Sequence, residues 1–162
     1  MKALFFISAL VLSALPIRAE VVQSEKSELW IAPSAETAGY SLSGAALGGA
    51  LAFGYGARTQ AGLKAAYFAD TSGLIHNVEI GVLFRVFILD AATGPFIQFS
   101  GGPVLLFQKG RALSVPANWG TVFAGIDCGW RFLAGRSLFV EPFIRGGYPY
   151  IVGAGAAMGL RW

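Results

Sequence analysis

The stretch that decides the fold is "NVEIGVLFRVFI", residues 77 to 88. Side chains of a β-strand alternate between its two faces, so the stretch divides into two sets of six. One set is wholly apolar and consists of Val78, Ile80, Val82, Phe84, Val86 and Ile88. The other set carries both charges of the stretch, Glu79 and Arg85. The pattern therefore predicts a strand with one apolar face and one partly charged face.

The same division recurs along the chain at intervals of roughly a strand length. In residues 121 to 132, Asp127 and Arg131 fall on one face, and in residues 138 to 145, Glu141 and Arg145 do the same. The final stretch, residues 148 to 162, places apolar side chains on one face and mainly glycine on the other. The same alternation is weaker in three further segments, where it places Lys64 and Gln98 on the polar face. The segments are residues 46–56, 62–68 and 96–107. These segments predict seven strands.

An eighth strand is expected between Glu28 and Ser43, where two segments compete. They are "ELWIAP" (residues 28–33) and "ETAGYSLS" (residues 36–43). Short polar turns at residues 57–60, 90–94 and 134–137 alternate with connections at the opposite end. Eight strands then place both ends of the barrel domain, residues 36–162, on the side of the short turns, as in an antiparallel up-and-down barrel.

The polarity of these strands is the reverse of a soluble barrel's. A soluble barrel has apolar residues inside and polar residues outside. Here one face of each strand is almost wholly apolar, and the other face mixes glycine with charged residues. The chain is 55% hydrophobic and only 13% charged, against about 25% charged in soluble domains. A closed barrel pairs all its backbone groups in lipid, and tilted strands of about 9 to 11 residues span a bilayer. The sequence thus predicts an all-β transmembrane barrel whose charged faces line the lumen.

A helical membrane protein is the competing interpretation. Residues 38 to 57 are free of charge, and Gly44 and Gly48 have the GxxxG spacing of packed transmembrane helices. Against it, the stretch holds six glycines, and each costs a helix roughly 1 kcal/mol relative to alanine. Charges such as Arg85 and Asp127 would also lie in the bilayer, at about 2.5 to 3.5 kcal/mol apiece. Strands can pair these charges in a lumen, so the barrel is favoured.

The N-terminus has the pattern of a secretory signal peptide, residues 1–19. Lys2 precedes an apolar run that ends before Pro16, and Ala19 is the preferred cleavage point, with Ala14 as the alternative. The apolar run is too short for a spanning helix, which needs roughly 20 residues. A short acidic segment, residues 20–35, is expected to follow. Loss of the signal lowers the net charge from +3 to +1, so basicity gives no reason to expect a nucleic-acid partner.

The signal, the alternating segments and the ending "GLRW" resemble small eight-stranded outer-membrane barrels of the OmpX, OmpA-domain and OmpW kind. The resemblance covers about residues 35 to 162. It implies a bacterial outer-membrane location with membrane lipid as surroundings. It also implies that Met158, Leu160 and Trp162 form the signal read by the barrel-assembly machinery, and that six aromatic residues lie at the membrane interfaces. These residues are Trp30, Trp119, Trp130, Tyr148, Tyr150 and Trp162.

Two functions follow from an interior of this size. Eight strands enclose a lumen that side chains can just fill, so eight polar residues are expected to form a hydrogen-bonded network there. They are Lys64, Glu79, Arg85, Gln98, Asp127, Arg131, Glu141 and Arg145. If these side chains fill the lumen, the expected function is a non-enzymatic structural or surface-interaction role toward an unknown extracellular ligand. If the lumen is open, the expected function is a narrow channel for small or apolar solutes, as OmpW-like barrels suggest.

Enzymatic and cofactor functions have little support in the sequence. The only histidine, His76, shares a connection with Asp70 and Ser72, a combination that could mimic a hydrolytic or acyl-transfer site. Three such residues are common by chance, so no catalytic residues are assigned. The only cysteine, Cys128, falls on an apolar face and can form no internal disulfide. No metal cluster, phosphate loop or nucleotide motif is found, and no cofactor is expected.

Overall fold

The structure, a computed structural model, describes residues 26–39, 44–72, 75–89, 93–108, 118–149 and 151–162. The expected signal peptide, residues 1–19, lies outside the described residues. Eight antiparallel strands form a closed barrel in which each strand pairs with its chain neighbours and the first pairs with the last. The strands are β1 (Glu28–Gly39), β2 (Ala45–Gly56), β3 (Thr59–Asp70), β4 (Ile75–Phe87), β5 (Gly94–Gln108), β6 (Asn118–Ala134), β7 (Leu138–Tyr148) and β8 (Val152–Arg161). The expected eight-stranded up-and-down barrel is confirmed.

The first strand settles the competition between the two N-terminal segments. β1 takes in all of "ELWIAP" and the first half of "ETAGYSLS". The barrel therefore begins at Glu28 and not at residue 36 as expected from the sequence. The near end of the barrel is the end that holds Glu28 and Trp162. There Leu29 and Trp162 exchange two backbone hydrogen bonds of 3.0 Å, which close the first strand onto the last residue.

The two faces of each strand divide as the sequence pattern predicts. The outward strand positions carry no Asp, Glu, Lys or Arg in the part of the chain that the structure describes. Large apolar side chains there are exposed, with Val82 at 63%, Val122 at 65% and Ile144 at 65%. The described part of the chain contains no helix that could span a membrane. The stretch considered for a helix, residues 38 to 57, lies instead mostly in β1 and β2 where the structure describes it, so the helical alternative is wrong for these residues.

Among the described residues, three prolines face outward in the middle of strands: Pro33, Pro103 and Pro142. Proline has no backbone N–H, so it removes one donor from a strand pair. At each of them the backbone pairing is interrupted on one side, between β1 and β8, between β4 and β5, and between β6 and β7. The pairing resumes beyond each gap with the same offset. The register is therefore continuous around the barrel.

The small residues of the last strand make room for aromatic rings inside the barrel. A Cβ at Gly155 would lie 2.6 Å from Cζ of Phe143, and a Cβ at Gly159 would overlap the Phe139 ring. Both phenylalanines come from β7, the neighbouring strand, and Phe139 is fully buried. The C-terminal stretch is poor in large inward side chains because its neighbours already fill the lumen.

Candidate functional site: the lumen network

All eight polar residues expected in the lumen lie inside the barrel. None is more than 5% exposed, and they project from five consecutive strands, β3 to β7. A ninth member, Glu36 of β1, is 4% exposed and contacts two of them. We call these nine residues the lumen network. It consists of Glu36, Lys64, Glu79, Arg85, Gln98, Asp127, Arg131, Glu141 and Arg145.

The part of the network toward the near end is centred on Glu141. Its Oε1 accepts hydrogen bonds from Nη1 of Arg85 at 2.7 Å and from Nε of Arg131 at 2.5 Å. Arg131 lies opposite Glu141 because the β6–β7 register brings the two residues together across the "AGRS" turn. Arg85 reaches the same oxygen from β4, on the other side of the lumen. One carboxylate thus holds two guanidinium groups.

A glutamine joins this part to the rest of the network. Nε and Nη2 of Arg85 donate to Oε1 of Gln98 at 3.0 and 2.7 Å, and Nε2 of Gln98 donates to Oδ2 of Asp127 at 2.7 Å. This donor pattern fixes the orientation of the Gln98 amide, since its oxygen faces a cation and its nitrogen faces a carboxylate. Hydrogen bonds therefore run without a break from Glu141 to Asp127.

The part toward the far end is built around Arg145 and Lys64. Arg145 donates from Nη2 to Glu79 at 2.7 Å and from Nη1 to Glu36 at 3.2 Å. Nζ of Lys64 lies 2.7 Å from Oε1 of Glu36 and 3.9 Å from Oδ2 of Asp127. The ammonium of Lys64 thus connects the two parts of the network across the lumen.

Glu36 was missed as a lumen residue because its strand was not placed. It shares its strand face with Trp30, Ala32, Ser34 and Ala38, which all point inward, but this face is defined only once β1 is placed. Ser34 supports it by donating a hydrogen bond of 2.8 Å to Oε1. Charge balance could have indicated a further lumen carboxylate, because the sequence predicts four lumen cations but only three lumen carboxylates.

With Glu36 included, the network is electrically balanced. The cations are Lys64, Arg85, Arg131 and Arg145, and the anions are Glu36, Glu79, Asp127 and Glu141. Charges buried in a protein interior are costly unless each is paired and hydrogen-bonded. Each of these eight residues lies within 4.0 Å of at least one residue of opposite charge. Among the described residues, no group of three or more His, Cys, Asp or Glu is placed to hold a metal.

Aromatic rings cover the guanidinium groups of the near part. The Cζ of Arg85 lies 4.6 Å from the Trp30 ring centre and 4.3 Å from that of Phe96, and the Cζ of Arg131 lies 3.9 Å from the Phe139 ring centre. Cations at these distances from aromatic faces are attracted to them. Because these rings also exclude water, they strengthen the ion pairs beneath them.

Trp30 corrects one sequence expectation. It was expected at a membrane interface, but it is fully buried in the lumen, where its ring lies against Gly54 and Phe139. An inward tryptophan here is stabilised by the two arginines near its face. Of the other expected interfacial residues, Trp130, Tyr148 and Trp162 are exposed on the outer surface. The side chain of Trp119 and residue Tyr150 lie outside the described part.

The network and the rings leave little free space in the middle of the lumen. The void among Glu36, Lys64, Arg85, Asp127 and Glu141 measures about 20 Å³. Space of this size admits about one water molecule. The described part of the lumen is therefore filled across its middle by side chains.

The residues considered for an enzyme site form two separate contacts at the far end. His76 faces outward, and its Nδ1 lies 2.6 Å from the hydroxyl of Tyr67. Ser72 donates a short hydrogen bond to Oδ2 of Asp70, whose Oδ1 accepts the N–H of Ile75 at 3.1 Å. Asp70 thus contacts Ser72 and Ile75, and not His76. His76 is engaged by a tyrosine on the outer surface.

Comparison with known proteins identifies the fold. No family model matches the chain, and no curated protein does. Among solved structures, the N-terminal β-barrel domain of Pseudomonas aeruginosa OprF is similar with a TM-score of 0.59 and 14% identity, over 83% of this chain and 97% of that one. Neisserial surface protein A (NspA) is similar with a TM-score of 0.54 and 10% identity, over 83% and 95%. The chain has the fold of these small eight-stranded barrels.

Proposed function

We propose that this chain is a bacterial outer-membrane barrel protein with a non-enzymatic, structural or surface-interaction role. The observation that carries the proposal is the outward strand face, which carries no Asp, Glu, Lys or Arg among the described residues and exposes large apolar side chains. Water would disfavour such a surface, whereas the hydrocarbon of a bilayer solvates it. The fold shared with OprF and NspA supports the same placement.

The route to the membrane is part of the same proposal. Residues 1–19 act as a Sec signal that is removed after Ala19 or Ala14, and residues 28–162 form the barrel. The barrel-assembly machinery reads Met158, Leu160 and Trp162, which occupy alternate positions in and directly after the last strand. Their side chains are 57%, 50% and 65% exposed on the outer surface, where a second protein can contact them during insertion.

Cys128 offers a direct test of the lipid-facing surface. It is exposed on the outer face of β6, where it pairs with Ile97 and Ile144. A fluorophore attached to Cys128 of the refolded protein is expected to be quenched by lipids brominated along their chains and to resist aqueous iodide. The matched control is Ser137→Cys in a Cys128→Ala background, since Ser137 lies exposed in the near-end turn between β6 and β7. Stronger iodide quenching at Cys128 than at position 137 would contradict the proposal.

The filled lumen favours the structural role over the channel. Any solute that crossed would have to displace side chains that are held by both ion pairs and rings. A narrow channel for small or apolar solutes needs a continuous opening, and the void of about 20 Å³ in the middle of the lumen is too small for one. Contacts made at the cell surface then account for the function.

Planar-bilayer recording decides between these two functions. We expect the wild-type protein to produce no discrete conductance steps under conditions in which a known porin does. The same silence is expected of Arg145→Ala, because the near part of the network, around Glu141, still blocks the lumen. Discrete steps whose size changes in Arg145→Ala would instead establish the channel function.

A further inference from the structure

One residue breaks the neutrality of the outer surface. Among the described outward strand positions, His76 is the only Asp, Glu, Lys, Arg or His. It is half-buried at the far end of β4, and it lies opposite Phe107 on β5 and Ala69 on β3. Its ring stacks on that of Tyr67, with ring centres 5.9 Å apart and planes 23° apart. An imidazole ring held against a tyrosine on a mainly apolar surface is a candidate binding group.

The position of His76 along the barrel axis indicates which part of the bilayer surrounds it. His76 and Val86 are the first and last outward-facing residues of β4. With a rise of about 3.3 Å per residue and a strand tilt of about 40°, the ten steps between them correspond to about 25 Å along the barrel axis. The apolar band of an outer-membrane barrel is about 25 Å tall. His76 therefore lies at the edge of the band, at the level of lipid headgroups.

The contact with Tyr67 fixes which ring nitrogen is available to a ligand. The Tyr67 hydroxyl lies 2.6 Å from Nδ1. In the neutral ring that accepts this hydroxyl proton, the ring proton is on Nε2; in the protonated ring Nδ1 donates to the hydroxyl oxygen and Nε2 again carries a proton. Nε2 is therefore a hydrogen-bond donor in both states. Among the described residues it has no hydrogen-bond partner. At headgroup level, the acceptor that such a donor suits best is a phosphate oxygen, to which an imidazolium adds charge.

We propose that His76, oriented by Tyr67, binds the phosphate of a lipid headgroup at the far rim of the barrel. The proposal rests on the membrane placement argued above and adds a specific lipid contact to it. The contact would fix the depth and rotation of this side of the barrel in the bilayer. Asp70 does not compete for the imidazole, since its two oxygens accept from Ser72 and from the Ile75 N–H.

The single histidine makes a direct distance measurement feasible. The chain is purified without a histidine tag, labelled with ¹⁵N in its imidazole and refolded in phospholipid bilayers for ¹⁵N–³¹P dipolar-recoupling NMR. A hydrogen bond of 2.7 to 2.9 Å to a phosphate oxygen places Nε2 within about 4.5 Å of phosphorus. We expect clear dephasing of the Nε2 signal and at least a twofold smaller effect in Tyr67→Phe. Tyr148→Phe, which alters another exposed tyrosine of the far rim, should match the wild type.

Three results would overturn the proposal. The first is a folded, membrane-inserted wild-type protein without dephasing at Nε2. The second is equal dephasing in Tyr67→Phe, which would remove the tyrosine's role in the site. The third is dephasing from inorganic phosphate in bilayers of a galactolipid without phosphate, which would remove the lipid as the source. Heat-modifiable mobility on gels is measured in every sample, because loss of the folded form would instead contradict the membrane-barrel function itself.

Discussion

Replacing Glu141 by alanine is expected to lower the free energy of unfolding by about 3 to 5 kcal/mol, the cost of leaving a buried charge without its partner. Glu141 is the carboxylate that both Arg85 and Arg131 contact. Without it, two guanidinium groups remain close together in a low-dielectric interior. The loss of Glu141 is most costly at Arg131, because Nη1 and Nη2 of Arg131 have no hydrogen-bond partner among the described residues. Glu141→Gln, which keeps the shape, should show most of the same loss.

A double-mutant cycle separates the charge interaction from the lost volume. Arg131→Ala should cost less than Glu141→Ala, since Glu141 keeps Arg85 as a partner. The double variant should be more stable than the sum of the two losses predicts, by about 1 to 3 kcal/mol, as for residues in one network. Urea unfolding in lipid vesicles, followed by the heat-modifiable gel shift, provides the measurement. Arg136→Ala, in an exposed turn, is the control and should change stability by less than about 0.5 kcal/mol. Additive losses for Glu141 and Arg131 would refute the coupling.

The face of each strand could be predicted because the two environments select opposite side chains. Glu79, Arg85, Asp127 and Arg131 fall on alternate positions among apolar neighbours, and a period of two places them inside if lipid lies outside. The order of the strands followed from the short turns, since sequential strands joined by tight turns pair as neighbours. Neither step required knowledge of which residues touch.

The contacts across the lumen could not be predicted in this way. Arg85 and Glu141 come from strands on different sides of the barrel, and their meeting depends on the register of every strand between them. Trp30 shows a second limit: its amphipathic ring suits a membrane interface, but it also suits a buried place against two arginines. Alternation assigns it to the inner face only once β1 is placed. Pro33, which interrupts the pairing in that strand, weakened the signal.

A glycine substitution on the inner wall should be as damaging as the loss of a charge. Gly62 of β3 lies opposite Gly54 of β2, and a Cβ at position 62 would overlap the carbonyl oxygen of Phe53 and lie 2.7 Å from the Cα of Gly54. These are backbone atoms of the adjoining strand, so no rotamer change relieves the overlap. The strands themselves must move apart, and Trp30, whose ring lies against Gly54, prevents β2 from shifting inward.

We therefore expect Gly62→Ala to lower the free energy of unfolding by about 3 kcal/mol or more, at the upper end of the range for overpacking. Backbone groups separated within a bilayer find no water to bind, which adds to the loss. The matched control is Gly146→Ala on the outer face of β7, where the nearest atom to a new Cβ, the Ile151 carbonyl oxygen, is 3.6 Å away. That variant should stay within about 0.5 kcal/mol of the wild type. Both are measured by the same urea unfolding, and equal losses would show that the space beside Gly62 does not limit the packing of β2 against β3.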